Sequence, residues 1–105
     1  MAKDVIIIAD YSEDARLSLD EICDICGIEV VYVQDLVAYD IINPQGAQPE
    51  QWIFNMAELK RLRTALRLQR DLELNLAGVA LVLEMLDELE ELRAKSEILE
   101  KHILK

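Results

Sequence analysis

The chain has 105 residues, which fits one small domain, and its 21 acidic and 11 basic residues give a formal net charge of −10. Apolar residues make up 52 %, too many for a disordered acidic tail, so the chain can fill a modest core. The net negative charge disfavours nucleic acid as a partner, because phosphate binding depends largely on Lys and Arg releasing counterions.

Sorting signals are not evident at the N-terminus. The apolar run from Val5 to Ala9 lies between Asp4 and Asp10 and is far shorter than a signal-peptide core. The longest apolar run, residues 76–83, is well below the ~20 residues that span a bilayer. We therefore expect a cytoplasmic protein without a membrane segment.

The acidity is concentrated in the first half of the chain. Residues 1–54 hold 11 acidic and 2 basic residues, a net charge of −9, whereas residues 55–105 hold 10 acidic and 9 basic residues, a net charge of −1. We interpret residues 1–54 as an acidic strand plus helix-turn-helix and wing, and residues 55–105 as a helical hairpin and coiled-coil dimerisation segment. The two parts are expected to form one compact unit.

The first half shows signals for one strand and two helices. The β-branched run Val5–Ala9 predicts a short strand. Ser18 and Glu21 match a capping box, and Gly27 provides a stop, so the first helix is predicted over residues 18–26. A second helix is predicted up to about Tyr39 from an apolar series at helical spacing: Val30, Val33, Leu36 and Val37. Two short helices around a glycine turn form a helix-turn-helix pattern.

The segment after these helices predicts a small hairpin or wing, because Pro44, Gly46 and Pro49 interrupt two apolar stretches. Asn55 is the expected N-cap of a third helix, whose apolar face carries Leu59 and whose other face is a basic stripe. This basic stripe consists of Lys60, Arg63, Arg67 and Arg70. A break is predicted near Asn75.

The last helix is predicted over about residues 76–103 and carries an apolar seam at a strict 3, 4, 3, 4 spacing. The seam consists of Val82, Met85, Leu89, Leu92, Ser96, Leu99 and Ile103. At 1.5 Å per residue such a helix is about 42 Å long, more than a small globule can cover. We therefore expect the apolar seam residues to form a homodimer with a second copy.

Several stretches of the sequence resemble a known superfamily. They are SLDEICDICGI, DIINP, LKRL and RLQRDLELNLAGVALVLEMLDELEELR at 67–93, together with WIF at 52–54, where a basic residue and a Tyr are usual. Over about residues 15–100 the chain resembles the MerR-type winged-helix superfamily and, within it, the CbpM family of chaperone modulators. The resemblance implies a mostly α fold: a MerR-like winged helix-turn-helix with a short β element, then a helical hairpin and a C-terminal coiled-coil helix.

The resemblance also implies a function. A CbpM-like protein is expected to bind the J-domain of a CbpA or DnaJ-like co-chaperone, to block its encounter with the Hsp70 chaperone DnaK, and to dimerise through its C-terminal helices. It is not expected to be an enzyme, and we expect neither nucleic acid nor membrane as a partner.

Two other functions are compatible with parts of the pattern. A MerR-like DNA-binding transcription regulator is the first alternative. However, the second helix and the residues beside it contain Glu29, Asp35 and Asp40 but no Lys or Arg that could contact phosphates. A structural dimerisation module with an unrelated client is the second, and the sequence does not separate it from a chaperone modulator.

J-domains are similar to one another in carrying a Lys- and Arg-rich helix that engages Hsp70, so an acidic surface suits them. Complementary charge speeds encounter, while buried apolar anchors supply most of the affinity. We predict the carboxylates to be Asp20, Asp24, Glu29, Asp35 and Asp40, and the anchors to be Tyr32, Tyr39 or Trp52. The alternatives are a solvated surface for each acid and core packing for Trp52.

No cofactor, metal or catalytic residue is predicted. Cys23 and Cys26 have C-x-x-C spacing, but a zinc site needs four ligands and the other soft donor, His102, is far along the chain. Both cysteines fall on the apolar face of the first helix, so we expect core packing with reduced thiols. No nucleophile stands at a recognisable spacing from a base, and no Gly-rich phosphate loop is present.

Overall fold

The fold of the chain, described for residues 14–103 by a computed structural model, is mostly helical. Within that range no β-strand forms, and the extended segments meet only in isolated bridges. The predicted strand Val5–Ala9 lies outside the described residues. The helices are α1 (Leu19–Cys26), α2 (Val30–Ala38), α3 (Met56–Leu72) and α4 (Leu76–Ile103), with a 3-10 turn at Pro49–Gln51 between α2 and α3.

Helix α1 has the caps that the sequence predicts. The Ser18 hydroxyl accepts a hydrogen bond from the Glu21 amide at 3.1 Å, and the Glu21 carboxylate accepts one from the Ser18 amide at 2.9 Å. Gly27 adopts the left-handed conformation at φ 66°, and its amide donates to the Cys23 carbonyl. Ser18 is therefore the cap, and the helix proper begins one residue later than predicted.

Helix α2 follows after a short turn and packs against α1. Val33 and Leu36 are fully buried, as the apolar series predicts, but Val30 of the same series is 36 % exposed. Val30 is the first helical residue and lies at the edge of the buried face. The chain leaves α2 through Asp40, which has φ 61°, and the Ile41 amide then donates to the Leu36 carbonyl at 2.9 Å.

The predicted wing is a loop with very limited pairing. Gln45 and Ile53 exchange backbone hydrogen bonds of 2.9 and 3.1 Å, and Leu17 and Phe54 exchange two of 2.8 Å. Each pair is a single antiparallel bridge, and the 3-10 turn Pro49–Gln51 lies between the two residues of the Gln45–Ile53 bridge. The loop thus ties the segment before α1 to the segment before α3.

The hairpin of α3 and α4 begins and ends at the predicted residues. The Asn55 side chain caps α3 by accepting from the Glu58 amide at 2.8 Å. Glu73, in the left-handed conformation at φ 52°, ends α3, and the Asn75 side chain accepts from the Gly78 amide at 2.8 Å at the start of α4. The break predicted near Asn75 is confirmed.

One apolar core joins all of these elements. Its fully buried side chains come from the segment before α1, from α1 and α2, from the loop and from both helices of the hairpin. Arg61 of α3 adds a polar link: its Nε donates to the Ile41 carbonyl at 2.6 Å, and its guanidinium pairs with Asp87 of α4 at 3.1 Å. The largest fully buried residues are Leu17, Ile22, Val33, Leu36, Ile41, Ile42, Phe54, Leu59, Leu62 and Val79.

Two glycines with positive φ make a matched test of the loop. Gly27→Ala places a methyl group in open space, so we expect only the left-handed penalty of about 1 kcal/mol. Gly46→Ala places it 2.5 Å from the Gln51 carbonyl oxygen, so the backbone must move and we expect a loss of about 2 kcal/mol or more. Urea unfolding at one protein concentration measures both losses; equal losses would contradict the close approach at Gly46.

Candidate protein-binding surfaces

The exposed surface of α1 and α2 is strongly acidic. Residues 17–59 contain no Lys or Arg. Asp20 and Asp24 are one helical turn apart on α1, and Asp35 lies in the last turn of α2. All five predicted carboxylates are exposed: Asp20, Asp24, Glu29, Asp35 and Asp40. We call this set the acidic surface.

Two of these carboxylates lie at positions where a negative charge destabilises the helix. Asp24 and Asp35 lie in the last turns of their helices, where the helix dipole disfavours negative charge, and neither last turn contains a basic residue. Their side chains form no hydrogen bond or ion pair with the described residues. The stability of the fold therefore gives no reason for this charge.

Apolar side chains lie within the acidic surface. Val31 is 62 % exposed and Tyr39 is 48 % exposed, and both flank Asp35 on the outer side of α2. Tyr39 was a predicted anchor, whereas Val31 was not. The exposure of Val31 could have been predicted from the sequence, because Val31 does not belong to the apolar series that predicts the buried face of α2.

The other two predicted anchors are held by contacts within the chain. Tyr32 is half-buried, and its hydroxyl donates to the Gln69 side chain of α3. Burial raises the pKa of the Tyr32 phenol. Trp52 is half-buried against the core, with its ring edge-on to Phe54 at a centroid distance of 6.1 Å. Of the three aromatic candidates, Tyr39 presents the most open ring.

Helix α4 has two apolar faces that lie nearly opposite each other. Leu76, Val79, Ala80 and Leu83 pack against the core. At 100° per residue the apolar seam is about half a turn away. Val82 is half-buried, the other six seam residues are exposed, and so is every residue from 84 to 103. The five exposed apolar residues are Met85, Leu89, Leu92, Leu99 and Ile103.

Two further leucines extend this apolar surface. Leu81 is 57 % exposed and Leu86 is 46 % exposed, and they border the apolar seam on either side. Neither leucine was among the predicted dimerisation residues, although both lie next to seam positions in the heptad pattern. The exposed apolar band is therefore wider near the core than the seam alone.

The cysteines lie in the core, as predicted. Cys23 is buried and Cys26 is half-buried against the same cluster. Burial, with a smaller effect from the charges of Asp20 and Asp24, raises the pKa of the Cys23 thiol. Between residues 14 and 103 no three His, Cys, Asp or Glu side chains cluster as a metal site would require. None of the helices in that range is both long and apolar enough to cross a membrane.

Comparison with known proteins gives a consistent result. Residues 17–101 match the family model described as MerR HTH family regulatory protein. A chaperone modulatory protein CbpM of Pseudomonas putida strain W619 is 34 % identical over 88 residues, covering 84 % of this chain and 87 % of the relative. One of Coxiella burnetii strain Dugway 5J108-111 is 31 % identical over 101 residues, covering 96 % of this chain and 95 % of the relative.

The chain belongs to the CbpM family. The resemblance inferred from the sequence motifs is thereby confirmed. A CbpM protein of Pseudomonas entomophila strain L48, 32 % identical over 88 residues, matches to the same extent as the Pseudomonas putida relative.

Tyr32 of α2 and Tyr39, the residue that follows α2 as its C-cap, allow a matched test in this CbpM-family chain. Tyr32→Phe removes the hydrogen bond to Gln69, so we expect a loss of about 1 kcal/mol, while Tyr39→Phe should change little because Tyr39 is exposed. Urea unfolding measures both. Since the folded state raises the Tyr32 pKa, its contribution is complete below the unfolded value of 10.0 and declines as the pH rises through the folded value. A difference between wild type and Tyr32→Phe that grows above pH 10 would contradict this assignment.

Proposed function

We propose that this chain is a chaperone modulator and not an enzyme. It binds the J-domain of a CbpA or DnaJ-like co-chaperone in the cytoplasm and inhibits the stimulation of DnaK. Residues 1–54 provide the binding part, and residues 55–105 provide the dimerisation part. The observation that carries the proposal is the acidic surface, whose five exposed carboxylates lie in a stretch without Lys or Arg.

Charge complementarity supports a basic protein partner. A J-domain is expected to present a Lys- and Arg-rich helix, and opposite charges speed encounter and fix orientation. Asp20 and Asp24 lie along one side of α1, and Asp35 lies on α2, which packs against α1. Occupation of that basic helix by this chain would exclude Hsp70 from it.

Apolar contacts complete the proposed interface. Val31 and Tyr39 lie among the carboxylates and expose enough apolar surface to act as central anchors. Interfaces derive most of their affinity from a few such residues, with charges arranged around them. We therefore add Val31 to the predicted binding residues and favour Tyr39 over Tyr32 and Trp52.

DNA recognition is less well supported. In a DNA-binding helix-turn-helix the second helix enters the major groove and is held by contacts from basic residues to phosphates. Here that helix is α2, which contains no Lys or Arg and exposes Asp35, with Glu29 and Asp40 at its ends. Carboxylates at these positions repel the phosphates that the motif would have to approach.

A pair of charge reversals tests J-domain binding. Asp24→Lys with Asp35→Lys should weaken binding by about tenfold or more at low salt, because each replaces attraction by repulsion. Cations are favoured in the last turn of a helix, so the fold should tolerate both changes. Asp40 is left unchanged because its φ of 61° suits Asp better than Lys. Calorimetric titration with a CbpA-type J-domain measures the affinity.

The matched control moves the same charge change to α4. Glu91→Lys with Glu97→Lys alters the net charge equally, at exposed positions outside the apolar seam, and should leave J-domain affinity nearly unchanged. In a DnaK ATPase assay stimulated by the co-chaperone, the control should inhibit like wild type and the α1–α2 variant should not. Equal affinity of the two variants at about 50 mM salt would exclude the acidic surface as the binding site.

We also propose that two copies pair through the apolar seam of α4. The exposed residues Met85, Leu89, Leu92, Leu99 and Ile103 form an apolar stripe, interrupted only by Ser96, on the side of α4 that faces away from the core. Exposed apolar stripes at heptad spacing are typical of helices that pack on another helix. A second copy of the chain presents the same apolar stripe, so pairing of two copies would cover both stripes without another protein.

A central substitution tests the pairing. Leu89→Glu places a charge in the middle of the seam and should weaken the dimer by at least about tenfold, because that charge would be desolvated on pairing. Ala94→Glu introduces the same side chain on the opposite side of α4 and should have little effect. Sedimentation equilibrium measures both dissociation constants; a wild-type protein that stays monomeric at about 100 μM would refute the pairing.

A further inference from the structure

We propose that Arg61 is a positioning residue for the acidic surface. Its side chain holds the turn that follows α2 and thereby fixes the positions of Tyr39 and Asp40, two of the predicted partner-binding residues. This inference rests on the proposed binding of a J-domain, and it adds a residue of α3 that lies outside the acidic surface.

Helix α2 ends in the arrangement of backbone hydrogen bonds known as a Schellman motif. The Asp40 amide donates to the Val37 carbonyl, and the Ile41 amide donates to the Leu36 carbonyl, both at 2.9 Å. These two bonds define the motif, and Asp40 is its left-handed residue. Leu36 and Ile41 both lie in the apolar core, as is usual for the residues that flank such a turn.

Gly usually occupies the left-handed position of this motif, because it has no side chain to oppose that conformation. Helix α1 shows the usual arrangement: Gly27 has φ 66°, and the Ile28 amide donates to the Cys23 carbonyl at 3.1 Å. Asp40 has φ 61° at the equivalent position after α2. Asp tolerates this conformation better than most residues, but it still carries a cost that Gly avoids. The surroundings must therefore hold the turn at Asp40 in place.

The fold gains nothing from the side chain of Asp40 in return. Its carboxylate is exposed and forms no hydrogen bond or ion pair with the residues that the structure describes. A left-handed residue whose side chain does not serve the fold points to a function for that side chain. Because Tyr39 is the residue before it and is exposed, the turn places a carboxylate beside an apolar anchor at the end of α2.

Arg61 of α3 holds this turn. Its Nε donates to the Ile41 carbonyl at 2.6 Å, and its guanidinium is oriented by the ion pair with Asp87 of α4. A hydrogen bond from a charged donor is stronger than one between neutral groups. One helical turn earlier on α3, the Glu58 carboxylate accepts from the Asn43 amide at 3.3 Å. The chain that leaves the turn is therefore fixed to α3 at two points.

Opening of the turn would release the end of α2. The last carbonyls of a helix depend on the bonds that close its terminal turn. Without those bonds, Tyr39 and Asp40 would no longer keep fixed positions relative to Asp35. A partner would then have to order these residues on binding, and that ordering lowers affinity. Arg61 thus raises the affinity for the partner by fixing the turn in advance, without contacting the partner itself.

Two substitutions of Arg61 separate the hydrogen bond to Ile41 from the ion pair with Asp87. The side-chain nitrogen of Gln occupies the position of the arginine Nε, so Arg61→Gln keeps a donor for the Ile41 carbonyl and loses the ion pair. Arg61→Met reaches the same position without a donor. Calorimetric titration with a CbpA-type J-domain should show about tenfold weaker binding for Arg61→Met. Arg61→Gln should stay within about twofold of wild type, because exposed ion pairs contribute little.

Hydrogen exchange of the Ile41 amide, followed by NMR, reports on the turn without any partner. Exchange should be faster in Arg61→Met than in Arg61→Gln or wild type, because the bond to the Leu36 carbonyl opens when the turn frays. Urea unfolding shows that the variants are folded under the conditions of the titration.

The outcomes separate this inference from the proposed function. Equal J-domain affinities of Arg61→Met and Arg61→Gln, whether both match wild type or both are weakened, would overturn the role of the Arg61 Nε. Equal exchange rates of the Ile41 amide would do the same. If the wild-type chain does not bind the J-domain, the proposed function fails, and the exchange rates still decide whether Arg61 holds the turn.

Asp40→Gly tests the turn from the other side and has a matched control. Gly adopts the left-handed conformation without the cost of a side chain, so the variant should resist urea at least as well as wild type. J-domain binding should nevertheless weaken by about threefold or more, because a carboxylate of the acidic surface is lost. Glu73→Gly makes the same change at φ 52°, at the end of α3 and outside the acidic surface, and should leave the affinity nearly unchanged. Equal affinities of these two variants would contradict the position of Asp40 at the interface.

Discussion

Helix α4 extends well beyond the apolar core against which its first turns pack, and the large exposed apolar surface of the chain follows from this difference in length. Its first two turns are fixed by Val79 and Leu83, while residues 84–103 have no cover within the described chain. In proteins most of the stability of a helix comes from packing of an apolar face rather than from helix propensity, and this segment has no such packing within the described chain. Apolar side chains along such a segment gain most of their burial from a second helix.

The acidic surface arises from a different constraint. The core of a helix-turn-helix depends on inward residues such as Ile22, Val33 and Leu36, and it leaves the outward residues free to vary. Here the outward residues include Asp24, Asp35 and Val31, so the scaffold that elsewhere approaches phosphates presents carboxylates and apolar side chains. Because acids in the last turns of α1 and α2 act against the helix dipoles, their presence is better explained by a partner than by folding.

Local signals in the sequence predicted most of the helix boundaries, because a cap depends on residues only three or four positions apart. The capping box at Ser18, the stop at Gly27 and the caps at Asn55 and Asn75 all occur as predicted. Contacts between distant residues were not predicted. The Arg61 link to Ile41 and Asp87, and the bond from Tyr32 to Gln69, depend on how helices cross, which periodicity does not specify. For the acidic surface, the negative charge could be predicted from the composition of the sequence. The exposure of Val31 became known only from the packing of the helices in the structure.

The geometry of α4 links the two proposed surfaces. Because the core and the apolar seam lie on nearly opposite sides of α4, pairing through the seam leaves α1 and α2 on the outside of the dimer. In the proposed dimer the helix axes would lie about 8–10 Å apart with a core on each outer side, so the two acidic surfaces would be separated by more than one Debye length, about 8 Å at physiological salt. Repulsion between them is then largely screened, so a strongly negative chain can dimerise without placing its charges together. In the proposed dimer each acidic surface therefore stays open to solvent.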